Sequence, residues 1–119
     1  MSNIVAIILA RGGSKGLPNK NITVNYDIGN SAALGYNPIE ELGVYGDRIS
    51  DIHIKDRTLG GGPIVLGDGD ADFDSFFNAL SRIDYHGPFI MQAFRDDEGV
   101  EIFKSQLSWI KKYFPDLEE

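Results

Sequence analysis

Asp27, His53 and Gln92 are side chains that bind cations, and each stands in or just after a short apolar run: 22–26, 49–55 and 89–93. A carboxylate, an imidazole and an amide oxygen converging from neighbouring strands could hold a divalent ion such as Mn²⁺, Mg²⁺, Co²⁺ or Zn²⁺. Asn30, Lys55, Asp56 and Arg57 follow the same runs and add polar groups for a ligand. Each also has a purely structural reading. Asp27 can cap a turn over 31–34, and His53, alternating with Ile52 and Ile54, can be a hydrogen-bonded core histidine. Lys55, Asp56 and Arg57 can begin a solvated loop, and His86, before Gly87 and Pro88, reads as a turn residue. Gln92 sits between Met91 and Ala93, where a buried amide must find partners.

Such groups act together only if the chain brings the run ends to one place. Residues 4–9 are continuously apolar and read as a buried strand, followed by a polar loop over 11–21 that contains Gly12, Gly13, Gly16 and Pro18. Residues 22–26 and 49–55 read as the second and third strands, and 89–93 as the fourth. Asn37, Pro38 and Glu40 start a helix that stops near Gly46. A glycine-rich loop spans 56–71. Asp72 caps a second helix marked by Phe73, Phe76, Phe77, Leu80 and Ile83, and a third runs over 97–114 with Val100, Phe103, Leu107, Ile110 and Phe114 on one stripe.

From residue 22 onward strand and helix alternate, the order that builds a parallel sheet covered by helices. Ligands of such sheets bind at the C-terminal strand ends, where Asp27, His53 and Gln92 lie. The first strand is separated from the second by only ~12 loop residues, the lower limit for a parallel crossover, so it pairs antiparallel or crosses with a single helical turn.

The chain of 119 residues is 42% hydrophobic and 24% charged, as in a globular domain, and order is expected up to the last few residues. Its net charge of −7 offers no clustered positive face for nucleic acid or an anionic membrane. It has no cysteine, hence no disulfide or thiolate zinc site, which fits a cytoplasmic protein. Residues 4–10 are too short for a membrane span and lack a basic flank.

Four stretches carry a resemblance: Tyr26-Asp27-Ile28-Gly29-Asn30, Asp51-Ile52-His53-Ile54-Lys55-Asp56-Arg57, Leu66-Gly67-Asp68-Gly69 with Asp72-Phe73, and Tyr85-His86-Gly87-Pro88-Phe89. In this order, over about 23–114, the chain resembles the C-terminal half of a sugar-phosphate isomerase/epimerase of the xylose-isomerase-like barrels. The resemblance implies a divalent metal on Asp27 and His53, with Gln92 as third ligand, and Arg57 on the sugar beside Asn30, Lys55 and Asp56. It also implies proton transfer by two glutamates. One belongs to an earlier strand with no counterpart here, and Gln92 takes the place of the other; an amide cannot accept a proton at neutral pH.

Ile7-Ile8-Leu9-Ala10-Arg11-Gly12-Gly13-Ser14-Lys15-Gly16-Leu17-Pro18-Asn19-Lys20-Asn21 resembles the opening of acylneuraminate cytidylyltransferases, which implies nucleotide phosphate contacts from Arg11, Gly12, Gly13, Ser14, Lys15 and Lys20. The alternative is a borrowed strand and loop that only starts a new sheet. Residues 1–22 and 23–114 then form one chimeric domain.

The fold expected is half of a (β/α)8 TIM barrel, four mainly parallel strands with three helices, closed as a homodimer because a half-barrel exposes two sheet edges and an apolar inner face. The function expected is that of an isomerase/epimerase-derived fragment with an incomplete site. Alternatives are an active enzyme completed by a partner chain, a nucleotide-binding role, and a structural fragment. The nucleotide reading requires saturable binding in a CTP titration.

Overall fold

A computed structural model describes residues 7–9, 23–95 and 99–116, the first three as backbone only. The elements run β1 (Ile7–Leu9), β2 (Val24–Asp27), α1 (Ile28–Ala33), α2 (Pro38–Tyr45), β3 (Ile49–Ile54), β4 (Asp56–Arg57), β5 (Pro63–Ile64), α3 (Phe73–Leu80), β6 (Phe89–Met91) and α4 (Val100–Ile110). Four strands form one sheet in the order β1, β6, β3, β2, and every neighbouring pair is parallel. β1 therefore does not pair with β2, antiparallel or otherwise. It lies at the far edge beside β6, the place next to the last strand that the first strand of a closed barrel would take.

The apolar runs become strands because alternate side chains lie under a layer of helices. Tyr26 of β2, Ile52 and Ile54 of β3, and Phe89 and Met91 of β6 are buried there with Leu42, Phe76, Leu80, Ile110 and Phe114. Phe76 stacks on Tyr26 with ring centroids 5.3 Å apart, and Phe114 meets Phe89 edge-on at 4.9 Å. Burying a side chain of this size contributes about 1.5–3 kcal/mol, so the few aromatics of α3 and of the segment after α4 secure the sheet's outer face. Burial leaves the Tyr26 hydroxyl with a strongly raised pKa, reinforced by the Glu41 carboxylate, and it remains a donor to Glu41 at 2.7 Å.

The alternation that sends those residues outward turns Asn25, Asp27, Asp51, His53, Ile90 and Gln92 to the other face. Ile8 of β1 lies beside Ile90 in the register, so the inner face joins an apolar strip on β1 and β6 to polar residues on β3 and β2. The core lies wholly between sheet and helices.

Helix starts follow the capping residues. Asn37 accepts from the Ile39 N–H at 2.8 Å and Asp72 from the Ser75 N–H at 3.0 Å. The short turn expected after Asp27 is a helix, α1, which makes four helices rather than three. In the last helix Val100 is 64% exposed and not part of the buried stripe. Position 97, where that helix was expected to begin, and positions 117–119 lie outside the described residues.

The glycine-rich loop is held by a side chain. Asp56 is 1% exposed and accepts from the backbone N–H groups of Arg57 (2.8 Å), Gly67 (2.9 Å), Gly69 (3.0 Å) and Ala71 (3.1 Å). A Cβ at Gly69 would lie 2.3 Å from Asp56 Oδ1, so only glycine permits this wrap. Within the loop β4 and β5 pair antiparallel. From the α4 side, buried Gln106 accepts from Leu66 N (3.0 Å) and Phe94 N (3.1 Å) and donates to Phe94 O (2.8 Å) and Ile102 O (3.1 Å). Each buried donor stranded without its acceptor costs roughly 1–3 kcal/mol. Asp56→Ala is therefore expected to lower unfolding stability by about 3 kcal/mol or more in urea titration, and an unchanged midpoint would refute this role.

Candidate functional site

The parallel register sets Asp27 of β2 beside His53 of β3, and His53 beside Ile90 of β6. Asp27 ends its strand in an extended conformation and turns directly into α1. Its Oδ1 accepts from the Asn30 N–H at 2.8 Å, so the capping reading of Asp27 is realised. Its Oδ2 is left facing His53 Nδ1 at 4.0 Å. The two readings are compatible, because they use different oxygens.

His53 is 5% exposed, and its Nε2 lies 2.9 Å from Asp51 Oδ2. Ser50 Oγ donates to the other Asp51 oxygen at 2.8 Å. Asp51 went unnoticed as a site residue, although its spacing of two from His53 in a strand signals a shared face. The Asp51 carboxylate, after burial, also helps push the Tyr85 hydroxyl well above its usual pKa.

Gln92 follows β6, where its N–H continues the ladder to Ile54 O at 2.9 Å. That bond puts Gln92 at the strand end neighbouring His53, and alternation from Ile90 assigns it to the same face. Among the described residues no three His, Cys, Asp or Glu side chains gather as a metal cluster. Asp27 and His53 bring their side chains together at this strand end. Their atom types suit a divalent cation. Bonds to carboxylate oxygen and imidazole nitrogen are about 2.0–2.2 Å, so one ion can touch both atoms across the present gap.

Arg57 and Asn30 also meet. Arg57 Nη1 donates to Asn30 Oδ1 at 2.8 Å, while Nε and Nη2 donate to Gly61 O at 2.9 and 2.7 Å. Lys55 is half-buried above α1, where a Cβ at Gly29 would come within 2.9 Å of the Lys55 carbonyl. Asp56 is corrected: its oxygens are filled by four backbone N–H groups, so it organises the loop and does not face a ligand. Arg11, Gly12, Gly13, Ser14, Lys15 and Lys20 lie outside the described residues.

Residues 14–113 match the family described as the xylose isomerase-like TIM barrel. The chain belongs to that family. Among solved structures, this xylose isomerase-like chain resembles a xylose isomerase domain protein from Planctomyces limnophilus, at 26% identity and a TM-score of 0.65, over 80% of this chain and 38% of that one. It is 37% identical to an inosose dehydratase of Geobacillus kaustophilus, over 60% of this chain and 29% of the relative. It is 42% identical to an L-ribulose 3-epimerase of a Methylomonas species, over 44% of this chain and 17% of the relative. The chain spans less than a third of these curated relatives. The architecture is a partial barrel, and the family match begins at residue 14, inside the stretch that resembles cytidylyltransferases. The comparisons lend that second resemblance no support. Among the described residues no helix is long and apolar enough to cross a membrane.

The cap and ligand roles of Asp27 are separable, because serine also caps helices. Losing the cap costs typically about 1 kcal/mol. Asp27→Ala is expected to lose that amount in urea titration and Asp27→Ser to stay within about 0.5 kcal/mol of the parent; equal losses would refute the cap.

Proposed function

We propose that this chain is the cation- and sugar-phosphate-binding part of a sugar isomerase/epimerase, with binding retained and proton transfer incomplete. The observation that carries the reading is the Asp27 and His53 pair, with Oδ2 and Nδ1 facing each other at 4.0 Å on adjacent parallel strands of a family barrel. Asp27 and His53 would hold a divalent ion, with the Gln92 amide oxygen as a third donor. The ion would supply positive charge for oxygens of a bound sugar. Arg57, braced by Asn30 and Gly61, presents a guanidinium for a phosphate or hydroxyl, and Lys55 stands at the same strand end.

Turnover needs a base that this corner lacks. Gln92 accepts no proton at neutral pH. A homodimer does not obviously repair this. In a two-fold arrangement of two such sheets, β2 of one copy would lie beside β1 of the other with all eight strands parallel. Residues 1–26, which include β1, contain no Asp or Glu. The neighbouring edge would therefore bring no carboxylate to Asp27. Association through the open edges β1 and β2 remains part of the reading for structural reasons.

Calorimetry with Mn²⁺ is expected to show binding to the parent chain and a loss of about 100-fold or more in affinity for His53→Ala and for the well-capped Asp27→Ser. Identical traces for all three would refute the cation site. Proton exchange from a ketose phosphate into solvent is expected to be absent with Mn²⁺ present; measurable exchange would overturn the incomplete-site reading. Light scattering at micromolar concentration is expected to give twice the chain mass, and a stable monomer would exclude the dimer.

A further inference from the structure

We propose that Asp51 is a positioning residue that fixes the tautomer of His53, so that the Nδ1 lone pair is turned to Asp27 as a cation donor. This rests on the cation-binding reading above, and adds a residue that the ligand set does not include.

An ionised carboxylate only accepts hydrogen bonds, so the 2.9 Å contact between Asp51 Oδ2 and His53 Nε2 requires the proton on Nε2. In the neutral ring Nδ1 then carries the lone pair. The gap on that side agrees. An imidazolium held between two carboxylates would draw both to roughly 2.7–2.9 Å, the length of charge-assisted bonds. His53 instead has one short contact to Asp51 and a 4.0 Å separation from Asp27, too long for a hydrogen bond. Two acceptor atoms thus face each other across a space that suits a positive ion.

Asp51 is itself held. Of the three acceptors around the single Ser50 hydroxyl proton, Asp51 Oδ1 at 2.8 Å is nearer than Asn25 Oδ1 at 3.0 Å and Val24 O at 3.3 Å, while Oδ2 serves His53. Both side chains are largely buried, with Asp51 14% and His53 7% exposed, so little water competes. The result is a directed chain from Ser50 through Asp51 and His53 to the cation corner. A carboxylate behind a histidine ligand orients the ring and raises its basicity, and removing such a partner typically costs 10–100-fold in metal affinity.

The test reads the tautomer without any cation. Imidazole ¹⁵N spectra of the metal-free chain, with His86 signals assigned through His86→Gln, are expected to show the Nε2–H form at His53. Asp51→Asn, whose NH2 group can donate to Nε2, is expected to shift the ring toward the Nδ1–H form. Asp51→Ala is expected to give a tautomer mixture and a 10–100-fold loss of Mn²⁺ affinity by calorimetry, and Asp51→Asn a loss at least as large. If Asp51→Ala does not fold, Asp51→Leu or Ser50→Ala, checked by circular dichroism, takes its place. An Nδ1–H or doubly protonated ring in the parent chain overturns the proposal. So does an Asp51→Ala variant with parent tautomer and parent affinity. A parent chain that ignores Mn²⁺ instead overturns the cation reading, which the spectra do not depend on.

Discussion

The parallel ladder between β2 and β3 is the constraint from which the rest follows. A strand alternates its side chains with a period of two, so a slip of one residue would exchange the faces of an entire strand. The observed register pairs Tyr26 with Ile52 and Asp27 with His53. The first pair goes under the helices and the second to the inner face. Burial of Tyr26, Ile52 and Phe89 against α3 and α4 therefore selects, in the same step, which polar residues meet at the strand ends. The proposed cation corner depends on the hydrophobic core although it contributes nothing to it. The shift in register between Val24 and Asn25 is absorbed at the entrance of β2, away from that corner.

Polar side chains supply what the thin sheet cannot. Asp56 gathers four N–H groups of the glycine-rich loop, and Gln106 joins that loop to the exit of β6 and to α4. Both sit in the interior with their hydrogen-bonding capacity well used, and among the described residues no buried side-chain nitrogen or oxygen lacks a partner. Satisfied polar networks of this kind fix one arrangement, because any other strands a buried donor. They hold Arg57 over Asn30 and keep the segments after β3 and β6 at a fixed separation.

Strands and helices were legible where burial is periodic. The runs 49–55 and 89–93, the caps Asn37 and Asp72, and the aromatic spacing of α3 all left patterns that local physics could read. Less legible was what depends on partners far away in sequence. Asp56 looks like part of a charged loop start until Gly67, Gly69 and Ala71 fold back onto it. Gln106 lies in the apolar stripe of α4, and its four hydrogen bonds go to three residues, at positions 66, 94 and 102. The place of β1 beside β6 could not be inferred from the short connection to β2, since that connection says nothing about a strand eighty residues later. The polar part of the inner face was visible in principle, because Asp51 and His53 alternate with Ile52 and Ile54.

The proposed separation of binding from proton transfer has a physical basis in how the carboxylates are used. Near the corner, Asp27 divides its oxygens between the Asn30 N–H and His53, Asp51 between Ser50 and His53, and Asp56 has four donors. Each holds structure or orients a donor. A general base must instead have a lone pair aimed at the proton it removes. Gln92 occupies the position from which the family resemblance would expect one, and its amide keeps a ligating oxygen while giving up basicity. Replacing glutamate by glutamine there preserves size and coordination, so the barrel and its cation corner can persist without the chemistry. In this proposal binding and turnover are carried by different atoms, and the fold maintains those proposed to bind.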